Sequence, residues 1–192
     1  MRAALVLVCH APTSAVRSAA FPADEPIDER GQANAVTLAP SLPRARQAWC
    51  GPSIAARQTA AALGLVVGIE PDLRDCDFGR WAGRRVSDVA LDEPEAFSQW
   101  MSDASAAPHG GEALVDVIRR VSPWLDRCRA TAGTTIAVTH ASVIRAAVVS
   151  AIDTTPNSFW HLDIGPLSRT SLRTDGRRWK LRGLTESTSL VL

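Results

Sequence analysis

The chain has 192 residues, of which 46% are hydrophobic and 21% charged, with a formal net charge of +1. That suffices for one α/β domain with a sizeable core and does not call for a second. A charge so near zero gives no reason to expect nucleic acid or an anionic membrane as a partner, and no apolar run approaches the ~20 residues that cross a bilayer.

In chain order, Ala3–Cys9 is rich in branched aliphatics, as a buried parallel strand is, and ends at His10. The apolar stretch behind Met1-Arg2-Ala3 is too short for a signal peptide, so a cytoplasmic protein is expected. A polar loop containing Pro12, Thr13, Ser14 and Arg17 runs to Pro26. Asp28-Glu29-Arg30-Gly31 opens a helix to about Leu38, with acidic residues at the end the dipole favours. Pro40 and Pro43 break the chain before a strand at about Arg46–Cys50. In Gly51-Pro52-Ser53, Ser53 is placed to cap a helix over Ile54–Leu63, which Gly64 would end. A short strand, Leu65–Ile69, follows. Residues 71–111 are irregular, punctuated by glycine and proline, with Phe97, Trp100 and Met101 on one helical face. Glu112–Arg129 reads as an amphipathic helix that Pro123 should kink or split. Glu112 is expected to cap that helix from its first turn. The strand Thr134–Thr139, a turn at His140 and a helix over Ser142–Ile152 come next. Two strands, at about Ser168–Arg173 and Arg178–Arg182, flank an Asp175-Gly176 hairpin turn. With no repeat and no linker, the expectation is a single domain over residues 1–192, a three-layer α/β/α sandwich with a mostly parallel sheet.

The chemistry gathers where strands end. Open α/β sheets place ligands at the carboxyl ends of their strands, and His10 and His140 both fall there. Either one alone could be a hydrogen-bonded core residue, but two in equivalent positions suggest a shared site. The four cysteines, Cys9, Cys50, Cys76 and Cys128, have neither disulfide-framework density nor a zinc-site spacing. Three of them fall near the same loops as the histidines, but no metal or cofactor is expected. Among the basic residues only Lys180 is a lysine, which reflects codon bias more readily than phosphate binding.

Six segments together resemble the histidine phosphatase superfamily, with the phosphoglycerate-mutase-like fold, over about residues 3–184. They are Cys9-His10-Ala11-Pro12-Thr13, the run Asp24–Ala33, Pro52–Ala60, Leu73–Gly83, Gly110-Gly111-Glu112 and Val138–Arg145. The resemblance implies that His10 carries a phosphoryl group, that His140 stabilises its oxygens, and that Asp75 stands for the family's proton-donating glutamate. It also puts Thr13, Arg17, Arg57, Trp81 and Ala141 among the residues around a phosphate or a small phosphorylated substrate. Two family arginines are missing, replaced by Cys9 and Ala55, and losing one transition-state donor typically costs ~100- to 1000-fold in rate. Arg57 stands two residues from Ala55, roughly 200° around a helix, so Arg17 is the stronger candidate to compensate, ahead of Arg145 and Arg169. The implied activity is a weakened, metal-independent phosphomonoester hydrolase working as a monomer or homodimer. The alternative is an inactive relative that binds an anionic ligand or a partner protein.

Overall fold

The structure, a computed structural model, describes residues 2–186; Met1 and residues 187–192 of the expected domain lie outside these. A six-stranded sheet runs in the order β3-β2-β4-β1-β5-β6. Its strands are β1 (Ala3–Cys9), β2 (Gln47–Cys50), β3 (Gly68–Ile69), β4 (Gly133–Thr139), β5 (Arg169–Thr174) and β6 (Trp179–Thr185). The first four are mutually parallel, and β5 and β6 close one edge antiparallel.

Alternation along β1 explains the layering. Leu5, Leu7 and Cys9 point to one face, where they meet α6 (Leu114–Ala130) and α7 (Ala141–Ala151) through Val117, Val121, Val143 and Ala147. Val6 and Val8 point to the other, against α2 (Glu29–Leu38) and α3 (Ile54–Ala62) through Ala35, Ala56 and Ala60. Both faces of β1 are therefore dry, as a central parallel strand between helix layers must be. Asp28 and Ser53 cap α2 and α3 as their sequence positions predict, accepting from the N–H groups of Gly31 and Ala56.

Several expectations shift. α6 passes through Pro123 without splitting. Pro123 is exposed, so the hydrogen bond it forgoes faces solvent, while Val117, Val121, Trp124 and Leu125 hold the helix to the core. Glu112 precedes α6 and caps nothing; it pairs instead with Arg120. The expected strand over 65–69 shrinks to two residues, Gly68 and Ile69, which pair with Trp49 and Cys50 of β2. The polar loop after His10 contains a short helix, α1 (Ser14–Ser18), and the irregular segment 71–111 contains α4 (Val86–Asp92) and α5 (Pro94–Ser102). Val89 of α4 and Trp100 of α5 pack there with Phe21 and Trp81 from the preceding loops in an aromatic cluster.

Candidate active site

The in-register parallel pairing of β1 with β4 sets Cys9 opposite Thr139, so the next residues of the two strands, His10 and His140, emerge side by side. Their ring centroids are 4.8 Å apart. His10 Nδ1 lies 2.8 Å from the Ala11 carbonyl oxygen, which can only accept. The hydrogen therefore sits on Nδ1 and the lone pair on Nε2. Burial, with His140 alongside, pushes the His10 pKa down to about 4, so the ring is neutral at pH 7. The loop is fixed from below: the Ala11 N–H donates to Thr59 Oγ1 (2.9 Å), whose hydroxyl donates to the Ala55 carbonyl (2.7 Å).

His140 is held on both ring nitrogens. Nδ1 stands 3.0 Å from Asp75 Oδ2, off the straight line of an ideal hydrogen bond, and Nε2 stands 2.8 Å from Ser53 Oγ. Asp75 also accepts from the Ser142 hydroxyl and, at 2.8 Å, from the Cys76 N–H. Burial would raise the Asp75 pKa, but the charge and hydrogen bond of His140 and the bond from Ser142 outweigh it and bring it down to about 2. A carboxylate in that state carries no proton at neutral pH. The proton-donor role expected for Asp75 therefore does not suit its surroundings; orienting His140 does.

The surrounding crevice has two lobes. One, of about 300 Å³, is bordered by Thr13, Asp24, Glu25, Ser53, Arg74 and Asp77. The other, of about 190 Å³, is bordered by Phe78, Trp100, Ala141, Arg145, Phe159 and Trp160. Both include His10, Asp75 and His140. Thr13 lies at the crevice, donating to Glu25 Oε1 (3.0 Å) and capping α1.

Three expected neighbours stand elsewhere. Arg17 is exposed and ion-paired with Asp28, away from both lobes. Arg57 projects from α3 into solvent, as its offset from Ala55 implies. Trp81 is fully buried behind the crevice, its indole N–H donating to Glu93 Oε2 (3.1 Å). Arg74 borders the first lobe, and Arg145, one turn into α7, borders the second, apolar one. Its Nε donates to the Leu162 carbonyl (2.7 Å), and its guanidinium lies 5.5 Å from the Phe159 ring centre. Burial, then the Asp75 charge, push the Cys9 thiol up to about 12, so Cys9 is a neutral packing residue. Among the described residues no group of three His, Cys, Asp or Glu side chains is disposed to hold a metal ion, and no helix is long and apolar enough to cross a membrane.

Ser53 was legible only as a cap. Its position at a strand-to-helix turn, with Gly51 two residues before and Ala55 two after, was the available signal.

A parallel sheet with an antiparallel edge, helices on both faces and paired imidazoles at adjoining strand ends define an open α/β sandwich with its candidate site at the carboxyl ends of β1 and β4. The family model of the histidine phosphatase superfamily (branch 1) matches residues 5–187, and the chain belongs to that superfamily. A bifunctional protein of Mycobacterium tuberculosis is 35% identical over 121 residues, 61% of this chain and 33% of that protein. The adenosylcobalamin/alpha-ribazole phosphatase of Salmonella typhimurium is 27% identical over 171 residues, 83% of this chain and 85% of its own. Among solved structures, a mycobacterial glucosyl-3-phosphoglycerate phosphatase in complex with VO3 superposes with a TM-score of 0.86 at 28% identity, covering 94% of this chain and 97% of that one. The chain thus spans only about a third of the bifunctional relative's length.

Proposed function

We propose that this chain, as a single domain, hydrolyses small phosphomonoesters through a phosphohistidine at His10, at a rate reduced by the loss of two arginines. The observation that carries this reading is the state of His10. Its Nδ1 hydrogen is committed to the Ala11 carbonyl and its ring is neutral, so Nε2 carries a lone pair on a residue that lines both lobes of the crevice. His140, beside Asp75, can donate to the phosphoryl oxygens and to the leaving oxygen in its doubly protonated form, in which Nε2 also carries a hydrogen. Arg145 and the N-terminal N–H groups of α7 provide the positive potential that remains.

The charge around the site argues for a slow enzyme. Asp24, Glu25 and Asp77 border the same lobe as Arg74, which is itself paired with Glu112 at 3.2 Å. A phosphate dianion would enter against those carboxylates. The second reading, an inactive relative that binds a ligand, draws on this same imbalance.

Turnover of p-nitrophenyl phosphate by the wild type and His10→Ala, with mass analysis for a phosphoryl group on His10, tests the proposal. Turnover abolished by His10→Ala, together with the His10 adduct, supports it. A silent wild type alongside an active Cys9→Arg/Ala55→Arg variant would establish the inactive relative instead.

A further inference from the structure

The partners on either side of the His140 ring outline a second chemistry in the same crevice. We propose that Ser53, His140 and Asp75 form an acyl-transfer triad, with Ser53 as nucleophile, that hydrolyses uncharged or cationic carboxylic esters. The proposal goes beyond phosphoryl transfer and does not depend on it, since one reaction needs His10 Nε2 and the other Ser53 Oγ.

The geometry has the order such a triad requires: hydroxyl to one imidazole nitrogen, carboxylate to the other. Ser53 Oγ is 2.8 Å from His140 Nε2, within the ≈ 2.6–3.2 Å range of an activated nucleophile. His140 Nδ1 is 3.0 Å from Asp75 Oδ2. That contact is an ion-pair distance and not an aligned hydrogen bond, but the carboxylate favours the hydrogen on Nδ1, and Nε2 is then left to accept the Ser53 hydroxyl hydrogen. Capping α3 does not compete with this, because as a cap the Ser53 oxygen only accepts, from the Ala56 N–H at 3.2 Å. Its hydrogen remains available to His140. The three side chains come from the turn between β2 and α3, the end of β4 and the loop before Cys76, so no local sequence constraint places them together. Gly51 lets the turn pass beneath them, since a Cβ there would stand 2.4 Å from the Leu73 carbonyl oxygen.

The crevice also supplies polarisation and selectivity. Ala55 lines it within the first turn of α3, and among the described residues its N–H has no hydrogen-bond acceptor. That donor, at the positive end of the helix, suits a developing oxyanion. Asp24, Glu25 and Asp77 disfavour anionic substrates, while Phe78, Trp100, Phe159 and Trp160 offer the other lobe to an aryl or short alkyl acyl group.

The steps balance. Ser53 Oγ bonds to the carbonyl carbon as its proton passes to His140 Nε2. The tetrahedral adduct collapses, breaking the ester C–O bond, and the departing alcohol takes that proton. Water then attacks the acyl-serine and gives a proton to His140. Collapse returns that proton to Ser53 and releases the carboxylic acid.

The test uses the full chain with p-nitrophenyl acetate and butyrate, alongside a fluorophosphonate probe mapped by peptide mass spectrometry. Ester turnover above buffer and a probe adduct on Ser53 are expected. Ser53→Ala should lower turnover about 100-fold or more. Ser53→Asn, which keeps a capping oxygen, should be equally slow while melting as the wild type does. Asp75→Asn should lower kcat with KM unchanged, because Asp75 acts by orienting His140. The proposal is overturned by a folded wild type that neither turns over ester nor labels at Ser53, by an adduct that maps to another residue, or by Ser53→Asn turning over like the wild type.

Discussion

Replacing His10 with Asn should change how stability depends on pH, and the amount follows from burial. An unfolded His10 titrates near 6.5, whereas in the fold desolvation and the adjacent His140 lower its pKa to about 4. The folded state thus gives up the His10 proton more readily than the unfolded one. Below pH 6.5 the unfolded state binds the extra proton, so stability contributed by the neutral ring is present at higher pH and is lost as pH falls from 6.5 toward 4. For these two values the loss at pH 5 is about 2 kcal/mol, equivalent to roughly 4–8 °C in melting temperature for a chain of this size. The depressed Asp75 carboxyl loses its own contribution only as pH drops below its unfolded value of 3.8 toward 2, outside this window. Urea unfolding of the wild type and His10→Asn at pH 7.5 and pH 5 measures the effect, and any constant cost of the substitution cancels in the difference. The wild type should lose about 2 kcal/mol more than the variant between the two conditions. Parallel losses would mean that His10 is solvated in the fold, and the argument for a neutral nucleophile would fail with it.

Arg120 and Glu112 form an ion pair at 2.7 Å with side chains only 10% and 11% exposed, and Arg120 also donates to the Asp75 carbonyl at 2.9 Å. Arg120→Ala should cost about 3–5 kcal/mol in chemical unfolding and release the loop that carries Asp75. Thr59→Val leaves the buried Ala11 N–H without an acceptor and should cost about 1–3 kcal/mol, whereas Thr59→Ser should preserve p-nitrophenyl phosphate turnover. Gly51→Ala drives a Cβ against the Leu73 carbonyl oxygen; a loss of about 1–3 kcal/mol in thermal melting is expected, with turnover of both ester and phosphate reduced.

The sequence revealed those parts of the fold that local chemistry specifies. β1 and β4 were readable because uninterrupted branched aliphatics mark strands buried on both faces. Asp28 and Ser53 were readable as caps because their side-chain oxygens have a fixed local task. The adjacency of His10 and His140 followed from two equivalent strand ends. What stayed hidden depended on partners distant in sequence. Nothing near Arg17 says that Asp28 will claim it, and nothing in α7 says that Arg145 will border the apolar lobe with its side chain bonded to the Leu162 carbonyl. The surroundings of Asp75 were equally hidden, because His140 and Ser142, more than sixty residues away, bear on its charge state. Ser53 has two bonds of different origin, and only the one within its own helix turn could be foreseen.

The aromatic cluster beside the crevice also gives the molecule an optical reporter of its own. The sequence contains six tryptophans and no tyrosine, so its near-ultraviolet emission is that of indole alone. Trp100 and Trp160 both border the apolar lobe, edge to face with centroids 4.6 Å apart. A compound that enters that lobe changes the surroundings of both rings at once, and the altered fluorescence reports its arrival with no dye attached.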